Sequence, residues 1–168
     1  MKVFGIAGWS GGGKTTLLAK LIPALVSREV SVSTIKHAHH AFDLDKPGKD
    51  SHTHREAGAR EVMISSTNRW ALLHENRSEP ELNLDDMLAK LAPVDLVLVE
   101  GFKHHPHDKL EVYRRANGKP LLQPNDPHVR AIASDTPISD TPVPVLDLDA
   151  IDEIADFVMA STGLRGQV

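Results

Sequence analysis

Cysteine is absent from this chain of 168 residues, and aromatic residues make up only 4% of it. Without thiols the protein forms no disulfide and offers no thiolate to a metal, and we expect a reducing compartment. No apolar run approaches the roughly 18 residues of a membrane-spanning helix. A strand pattern begins directly after Met1, with no signal peptide before it. These features predict a cytoplasmic protein without a membrane partner.

A surplus of basic residues is also lacking. The chain carries 19 lysines and arginines against 23 aspartates and glutamates, for a formal net charge of −4. Proteins that bind nucleic acid concentrate positive charge against its phosphates, so we expect no nucleic-acid partner. The length suffices to bury a hydrophobic core. We expect a single domain over residues 1–160 and a flexible tail over residues 161–168.

What the sequence does contain is a complete phosphate-binding loop near its start. Residues 8–15 read Gly-Trp-Ser-Gly-Gly-Gly-Lys-Thr and match the P-loop pattern G-x-x-x-x-G-K-[ST]. This pattern is informative only between a strand and a helix. Lys2 to Ala7 have the composition of a buried strand, and leucines 17, 18, 21 and 25 recur with helical spacing. The loop therefore has the flanking elements that it requires.

Each part of the loop has a chemical reason. Glycines let backbone N–H groups point at phosphate oxygens. Lys14 would bring its positive charge to the β- and γ-phosphates, and Thr15 would offer its hydroxyl to Mg²⁺. The helix that follows directs its positive end at the same anion. The predicted nucleotide-binding residues of the loop are Gly8, Ser10, Gly11, Gly12, Gly13, Lys14, Thr15 and Thr16.

Strand and helix patterns alternate along the chain, which predicts an α/β P-loop NTPase fold of three layers. We expect a mainly parallel, partly mixed sheet flanked by helices. Residues 61–65 and 70–74 look like two strands of an antiparallel hairpin, joined by the turn-like run 66–68. Residues 94–99 form the most apolar strand candidate and predict a central parallel strand.

Carboxylates near strand ends are candidates for a Mg²⁺ site. Glu100 ends the most apolar strand candidate and would bind the ion or orient the attacking water. A polar segment after the second predicted strand supplies a further candidate, Asp50, with Asp43 and Asp45 as alternatives. We therefore expect catalytic roles for Lys14, Glu100 and Asp50, and metal ligation by Thr15, Glu100 and Asp50.

Asp135 is the candidate for reading the nucleobase, because it ends a late strand pattern over residues 131–134. A carboxylate there accepts hydrogen bonds from the N1–H and the exocyclic amine of guanine. Adenine has no such pair of donors on that edge, so Asp135 predicts a preference for GTP. The alternative interpretation is a carboxylate that caps a turn.

Six of the ten histidines cluster in two predicted loops that leave strand ends, where ligands bind in open α/β sheets. Imidazoles there either bind a transition metal or donate hydrogen bonds to an anionic ligand. The loop spacings, with no helix to hold them in register, favour the second interpretation. The histidines are His37, His39 and His40 in one loop, and His104, His105 and His107 in the other.

Together these segments resemble the molybdopterin-guanine dinucleotide biosynthesis protein B (MobB) family. The most specific matches are residues 43–51, which read Asp-Leu-Asp-Lys-Pro-Gly-Lys-Asp-Ser, and residues 100–103, which read Glu-Gly-Phe-Lys. Other matches include the P-loop and residues 55–59, 69–72 and 109–114. They follow the family order over about the first 115 residues, with residues 131–135 as a weaker later match.

The resemblance implies a homodimeric GTP-binding protein with weak intrinsic GTPase activity. Such proteins assist a MobA-like guanylyltransferase, which joins GMP to molybdopterin in molybdenum cofactor biosynthesis. By position, Lys14, Thr15, Asp50 and Glu100 would be the nucleotide and Mg²⁺ residues. The residues implied to face the anionic pterin or the partner are His37, Arg55, Arg69, Lys103, Lys109 and Arg114.

Other functions stay open from the residues alone. One is a metal-insertion GTPase that carries nickel or zinc on the histidine loops. Others are a small-molecule kinase that holds its acceptor in the 37–50 loop, and an adaptor whose GTP site only switches shape. No arginine finger is evident in the sequence. Because such a residue is worth about 10³–10⁵ in rate, we expect slow hydrolysis.

Overall fold

The computed structural model describes residues 1–38, 42–103 and 105–164. The chain divides into two compact units. The first unit comprises Met1–His37 and the described residues from Lys90 onward, and the second comprises the described residues of Ala38–Ala89. The expectation of one domain over residues 1–160 stays a prediction.

The secondary structure follows the alternation that the sequence predicts. Within the described residues the elements are β1 (Lys2–Ala7), α1 (Lys14–Val26), β2 (Val32–Lys36), α2 (Asp50–Glu56), β3 (Glu61–Ser65), β4 (Trp70–His74), α3 (Leu84–Lys90), β5 (Leu96–Glu100), β6 (Lys109–Tyr113), β7 (Val129–Ser134), β8 (Val145–Asp147) and α4 (Ile151–Thr162). Two short 3₁₀ turns, Arg115–Asn117 and Gln123–Asn125, follow β6. No helix in the described ranges is long and apolar enough to cross a membrane.

A six-stranded sheet forms the centre of the first unit, in the order β2-β5-β1-β6-β7-β8. Each pairing between neighbouring strands is parallel. The α/β class with a mainly parallel sheet is therefore confirmed. Strand β5 is buried from Leu96 to Val99, as expected of a central parallel strand covered on both faces.

Helices α1 and α4 supply most of the apolar side chains that pack on the strands in the core of the first unit. Leu21 and Leu25 of α1 are fully buried there, with Ile154 and Val158 of α4. The rings of Phe4 and Phe157 meet edge to face, with centroids 6.5 Å apart. Each leucine so buried contributes roughly 1.5–3 kcal/mol, and this packing holds α1 firmly behind the loop that precedes it.

Helix α4 continues past the predicted boundary at residue 160 and ends at Thr162. Gly163 adopts a φ of 69°, and the N–H groups of Gly163 and Leu164 donate to the carbonyls of Ala160 and Met159. This is the arrangement of a Schellman cap, which favours glycine at the left-handed position. Leu164 packs against the core, so part of the expected tail is structured. Residues 165–168 lie outside the described residues.

The second unit contains the predicted antiparallel hairpin. Strands β3 and β4 pair from Glu61 opposite His74 to Ser65 opposite Trp70. They form a two-stranded sheet of their own. The antiparallel pairing that we expected therefore occurs in this separate sheet, while the six-stranded sheet is parallel throughout its described strands.

Candidate functional site

The P-loop lies at the carboxyl edge of the parallel sheet, between β1 and α1. Strand β1 pairs with β5 on one side and with β6 on the other. Because the three strands are parallel, the residues that follow them meet at one edge, which is where open α/β sheets bind ligands. The sequence motif is thus placed where its chemistry requires.

Gly8 and Gly13 show why the loop needs its glycines. Gly8 has a φ of 139°, and a Cβ at this position would lie 2.5 Å from the carbonyl oxygen of Val112. Gly13 has a φ of 94° and precedes α1 as its N-cap. Within the described residues no side chain caps α1, so N–H groups of its first turn are available to an anion.

Lys14 folds over the loop that it terminates. Its Nζ donates to the carbonyl oxygens of Gly8 and Trp9, both at 3.0 Å. Burial lowers the pKa of Lys14, whereas the charge of Glu100 raises it. The charge of Glu100 therefore acts on Lys14, although the two residues lie more than eighty positions apart in the sequence.

Glu100 is half-buried at the end of β5, in register with Ile6 of β1 and Lys36 of β2. A Cβ at the following residue, Gly101, would lie 2.6 Å from the Cβ of His37. Glycine is needed there because the chain passes this closely at a φ of 118°. The structure thus brings Lys14 and Glu100 to one edge; Mg²⁺ binding by Thr15 and Glu100 stays a prediction.

A segment after β6 holds the P-loop through two hydrogen bonds. The sequence pattern did not predict these contacts. The indole N–H of Trp9 donates to the carbonyl of Pro120 at 2.7 Å. The side-chain amide of Asn117 donates to the carbonyl of Ser10 at 3.1 Å. Nothing in the sequence pattern signals this clamp, because its partners are more than one hundred residues apart.

Lysines gather beside Trp9. The ammonium of Lys103 lies 4.7 Å from the centre of the indole ring, and that of Lys119 lies at 6.0 Å, both within the range of a cation–π contact. The charges of Lys103 and Lys36 also lower the pKa of Lys14, after the larger effect of burial. Several lysines therefore lie near the loop, although the chain as a whole is acidic.

Glu111 supports the clamp from inside the sheet. Its side chain is fully buried, and its two carboxylate oxygens accept hydrogen bonds from the N–H groups of Leu122 and Gln123 at 2.7 and 2.9 Å. Burial raises the pKa of Glu111, and the two hydrogen bonds oppose this effect. The carboxylate fixes the chain just after Pro120, whose carbonyl holds Trp9.

The burial of Lys109 contradicts an expectation drawn from the family resemblance. We expected it to face the pterin or a partner, but its side chain is 1% exposed. Its ammonium donates to the carbonyls of Lys103 and His105 and to Oδ2 of Asp126, at 2.8–3.0 Å. A buried ammonium is tolerated only when it is paired and hydrogen-bonded. Lys109 therefore fastens the loop after β5 instead of presenting a charge outward.

Arg114 lies beside the P-loop. The resemblance implied that it faces the pterin or the partner, and this stays a prediction. A Cβ at Gly13 would lie 3.1 Å from its Nε. Its Nη1 donates to Oδ2 of Asp135 at 3.4 Å, and the backbone N–H of Arg115 donates to Oδ1 at 3.3 Å. Asp135 as the guanine reader stays a prediction.

The histidine loops are only partly described. The rings of His37 and Phe102 lie 4.8 Å apart, and Nδ1 of His105 lies 3.1 Å from Nδ1 of His107. Burial lowers the pKa of His107 to about 4, so its ring is neutral at pH 7. No group of three or more candidate ligands that would hold a metal occurs in the described residues. His39, His40 and His104 lie outside them.

In the second unit, Arg55 is surrounded by carboxylates. Its guanidinium donates to Asp43 at 2.9 Å and to Asp45 at 3.0 Å, and the side chain of Asp45 is 3% exposed. The hydrogen bond from Arg55 lowers the pKa of Asp45. Both alternatives to Asp50 are therefore engaged in ion pairs.

Asp50 and Arg69 also belong to the second unit. Asp50 is the exposed first residue of α2. Arg69 lies in the hairpin turn, where its carbonyl accepts a hydrogen bond from the N–H of Ser66. Metal ligation by Asp50 and pterin or partner contact by Arg69 stay predictions.

Residues 3–135 match the family described as molybdopterin guanine dinucleotide synthesis protein B, MobB. The chain belongs to the MobB family. A relative from Escherichia coli K12, named molybdopterin-guanine dinucleotide biosynthesis adapter protein, is 46% identical over 156 residues, which cover 91% of this chain and 89% of the relative. A relative of the same name from Haemophilus influenzae is 42% identical, covering 93% and 86%.

Solved structures of MobB proteins share the fold. A crystal structure of molybdopterin-guanine biosynthesis protein B has a TM-score of 0.75 at 25% identity and covers 95% of this chain and 99% of its own. A MobB homologue from Bacillus stearothermophilus has a TM-score of 0.70 at 28% identity, covering 98% and 100%. The family expected from the P-loop and from residues 43–51 and 100–103 is thereby confirmed.

The buried position of Lys109 generates a stability prediction. In Lys109→Met, Asp126 and two carbonyls lose their donor. We expect the free energy of unfolding to fall by about 2–4 kcal/mol, somewhat less than the roughly 3–5 kcal/mol of a fully buried pair, because Asp126 is 21% exposed. Urea denaturation measures the loss.

The matched control is Arg130→Met. Arg130 pairs with Asp108 at 2.8 Å, and their side chains are 50% and 38% exposed. Exposed pairs contribute at most about 1 kcal/mol. Equally small losses in both variants would contradict a structural role for Lys109.

Proposed function

We propose that this chain binds Mg²⁺ and GTP at the P-loop, hydrolyses GTP slowly, and assists the conversion of molybdopterin to its guanine dinucleotide form in molybdenum cofactor biosynthesis. The observation that carries the proposal is the P-loop itself, with Lys14 folded over it and Glu100 beside it at one sheet edge. The biosynthetic role is supported by the names of the Escherichia coli and Haemophilus influenzae relatives.

The donors at this edge suit Mg²⁺, which prefers oxygen ligands. Thr15 would supply a hydroxyl and Glu100 a carboxylate, and Asp50 is proposed as a further ligand. The ion would offset the charge of the phosphates. Lys14 and the N–H groups of the loop and of the first turn of α1 would hold the phosphates in place, so that the protein contributes positioning and electrostatic stabilisation.

We propose that the protein works as an adapter for a guanylyltransferase that uses molybdopterin. Lys103 and Lys119 beside Trp9 supply positive charge and an aromatic surface next to the P-loop, which suits an anionic, planar pterin. His37 lies at the same edge, since its N–H donates to the carbonyl of Glu100. Arg55 and Arg69 of the second unit are further proposed contacts for the pterin or the partner.

A homodimer is proposed on the properties of the hairpin. Met63 of β3 lies directly opposite Leu72 of β4. Trp70 is two residues from Leu72 on the same strand, so its side chain lies on the same face of the hairpin. These three side chains are 64%, 44% and 68% exposed. Contiguous exposed apolar surface marks an interaction site, and a two-stranded sheet is marginally stable alone. A second copy of the chain would cover this face.

Calorimetric titration with GTP and ATP, with and without Mg²⁺, tests nucleotide binding. We expect Mg²⁺-dependent binding of GTP well ahead of ATP. Lys14→Ala should weaken GTP binding at least about tenfold, since a hydrogen bond to a charged group contributes about 1.5–3 kcal/mol. Lys2→Ala is the control, because Lys2 is exposed at the opposite end of β1. Unchanged GTP affinity in Lys14→Ala would refute the site, and a preference for ATP would refute the role of Asp135.

Single-turnover release of phosphate tests hydrolysis. We expect a rate well below about 10 per second without a partner, as in GTPases that lack a finger arginine. Glu100→Gln removes the carboxylate charge and should lower this rate at least about tenfold. A fast rate in the isolated protein, or equal rates in the wild type and Glu100→Gln, would contradict the proposal.

Sedimentation equilibrium tests the dimer. Trp70→Ser should raise the dimer dissociation constant at least tenfold, because buried interface aromatics often contribute about 2 kcal/mol or more. Val26→Ser is the control, since Val26 is 54% exposed at the end of α1. A monomeric wild type, or equal effects of both substitutions, would refute the hairpin interface.

A further inference from the structure

Arg114 is a cation beside the P-loop that the proposed mechanism does not use. It follows β6 directly, and β6 pairs with β1, from which the P-loop emerges. This pairing brings a residue one hundred positions away to the loop. Its guanidinium packs against Gly13, where a Cβ would lie 3.1 Å from Nε and 3.7 Å from Nη2.

The guanidinium has more donors than the structure engages. Arginine carries five N–H donors in a planar fork, and among the described residues its side chain is bonded to Asp135 alone, through Nη1 at 3.4 Å. The side chain of Arg114 is 36% exposed. Donors therefore remain on a guanidinium that is held beside the last glycine of the P-loop.

The positive charges around the amino end of α1 favour a bound anion. Lys14 and Arg114 both lie at the amino end of α1, where the helix dipole is positive, and their like charges repel. Asp135 offsets part of this charge from the far side of the guanidinium. A phosphate on the loop would satisfy both cations, and the planar fork of arginine matches phosphate oxygens in a way that a lysine does not.

We infer that Arg114 is a further nucleotide-binding residue, which donates to a phosphate oxygen of the nucleotide on the P-loop, and that Asp135 is the positioning residue that holds its guanidinium. This inference rests on the proposed nucleotide binding. Because the guanidinium is already held against Gly13 in the resting protein, it contributes to binding of the ground state. It therefore raises affinity for all nucleotides that carry these phosphates and leaves the hydrolysis rate largely unchanged.

Asp135 has room for both roles assigned to it. A carboxylate offers about four lone-pair sites, and two are used by Arg114 and by the N–H of Arg115. Binding of ATP separates the roles, because ATP carries the phosphates of GTP without the guanine donors. A residue that only reads guanine would affect GTP alone, whereas a residue that positions Arg114 affects both nucleotides.

Calorimetric titration of the full-length protein with Mg²⁺ and GTP, GDP or ATP tests the inference. We expect Arg114→Ala to weaken binding of each nucleotide by a similar factor of about ten or more, the effect of one lost charge-assisted hydrogen bond. Arg114→Lys should recover part of the loss, since the charge remains without the fork. Asp135→Asn should weaken ATP binding as well as GTP binding, and combining it with Arg114→Ala should add little further loss for ATP.

Arg130→Ala is the matched control, because Arg130 also forms one ion pair with an aspartate, Asp108, and should leave affinity unchanged. Thermal unfolding confirms that each variant is folded. If Lys14→Ala loses binding while Arg114→Ala binds like the wild type, the inference is overturned and the proposed function stands. A loss of turnover with unchanged affinity also overturns it. A wild type that binds no nucleotide overturns both.

Discussion

The parallel pairing of β1 with β5 on one side and β6 on the other is the constraint on which the site depends. It places three strand ends at one edge, so that the P-loop, Glu100 and Arg114 become neighbours although they lie far apart in the chain. The fit is close: the carbonyl of Val112 occupies the space where any side chain at Gly8 would stand. The register of the sheet therefore requires glycine at this position of the loop.

Charge is distributed so that an acidic protein carries a basic site. Burial lowers the pKa of Lys14 most. The charge of nearby Lys103 lowers it further, and the charge of Glu100 raises it. Asp135 forms an ion pair with Arg114, which offsets part of its charge. Such local concentration of positive charge attracts anions even when the net charge is −4. Net charge thus argues against a nucleic-acid partner but says little about a phosphate site.

Strand β6 shows how buried charges support a functional edge. Lys109 and Glu111 alternate with apolar residues, a pattern typical of a strand with one solvated face. Both are nevertheless buried, because loops fold back over that face and supply carbonyls to Lys109 and N–H groups to Glu111. The first fastens the loop after Glu100, and the second fastens the segment whose carbonyl holds Trp9. The same strand therefore steadies both sides of the P-loop.

The order of residues by itself determined the features that depend on near neighbours. The P-loop, the apolar β5 and the hairpin of β3 and β4 were predictable, because strand alternation, helical leucine spacing and turn residues act over a few positions. The position of Glu100 at the end of β5 also followed from the apolar pattern, and the ends of parallel strands share an edge. Only the tertiary structure decided that Lys109 turns inward, that Arg114 lies against Gly13, and that residues 117–120 clamp the loop. Those contacts join segments separated by many residues, and their geometry follows from strand order and loop paths that no local pattern encodes.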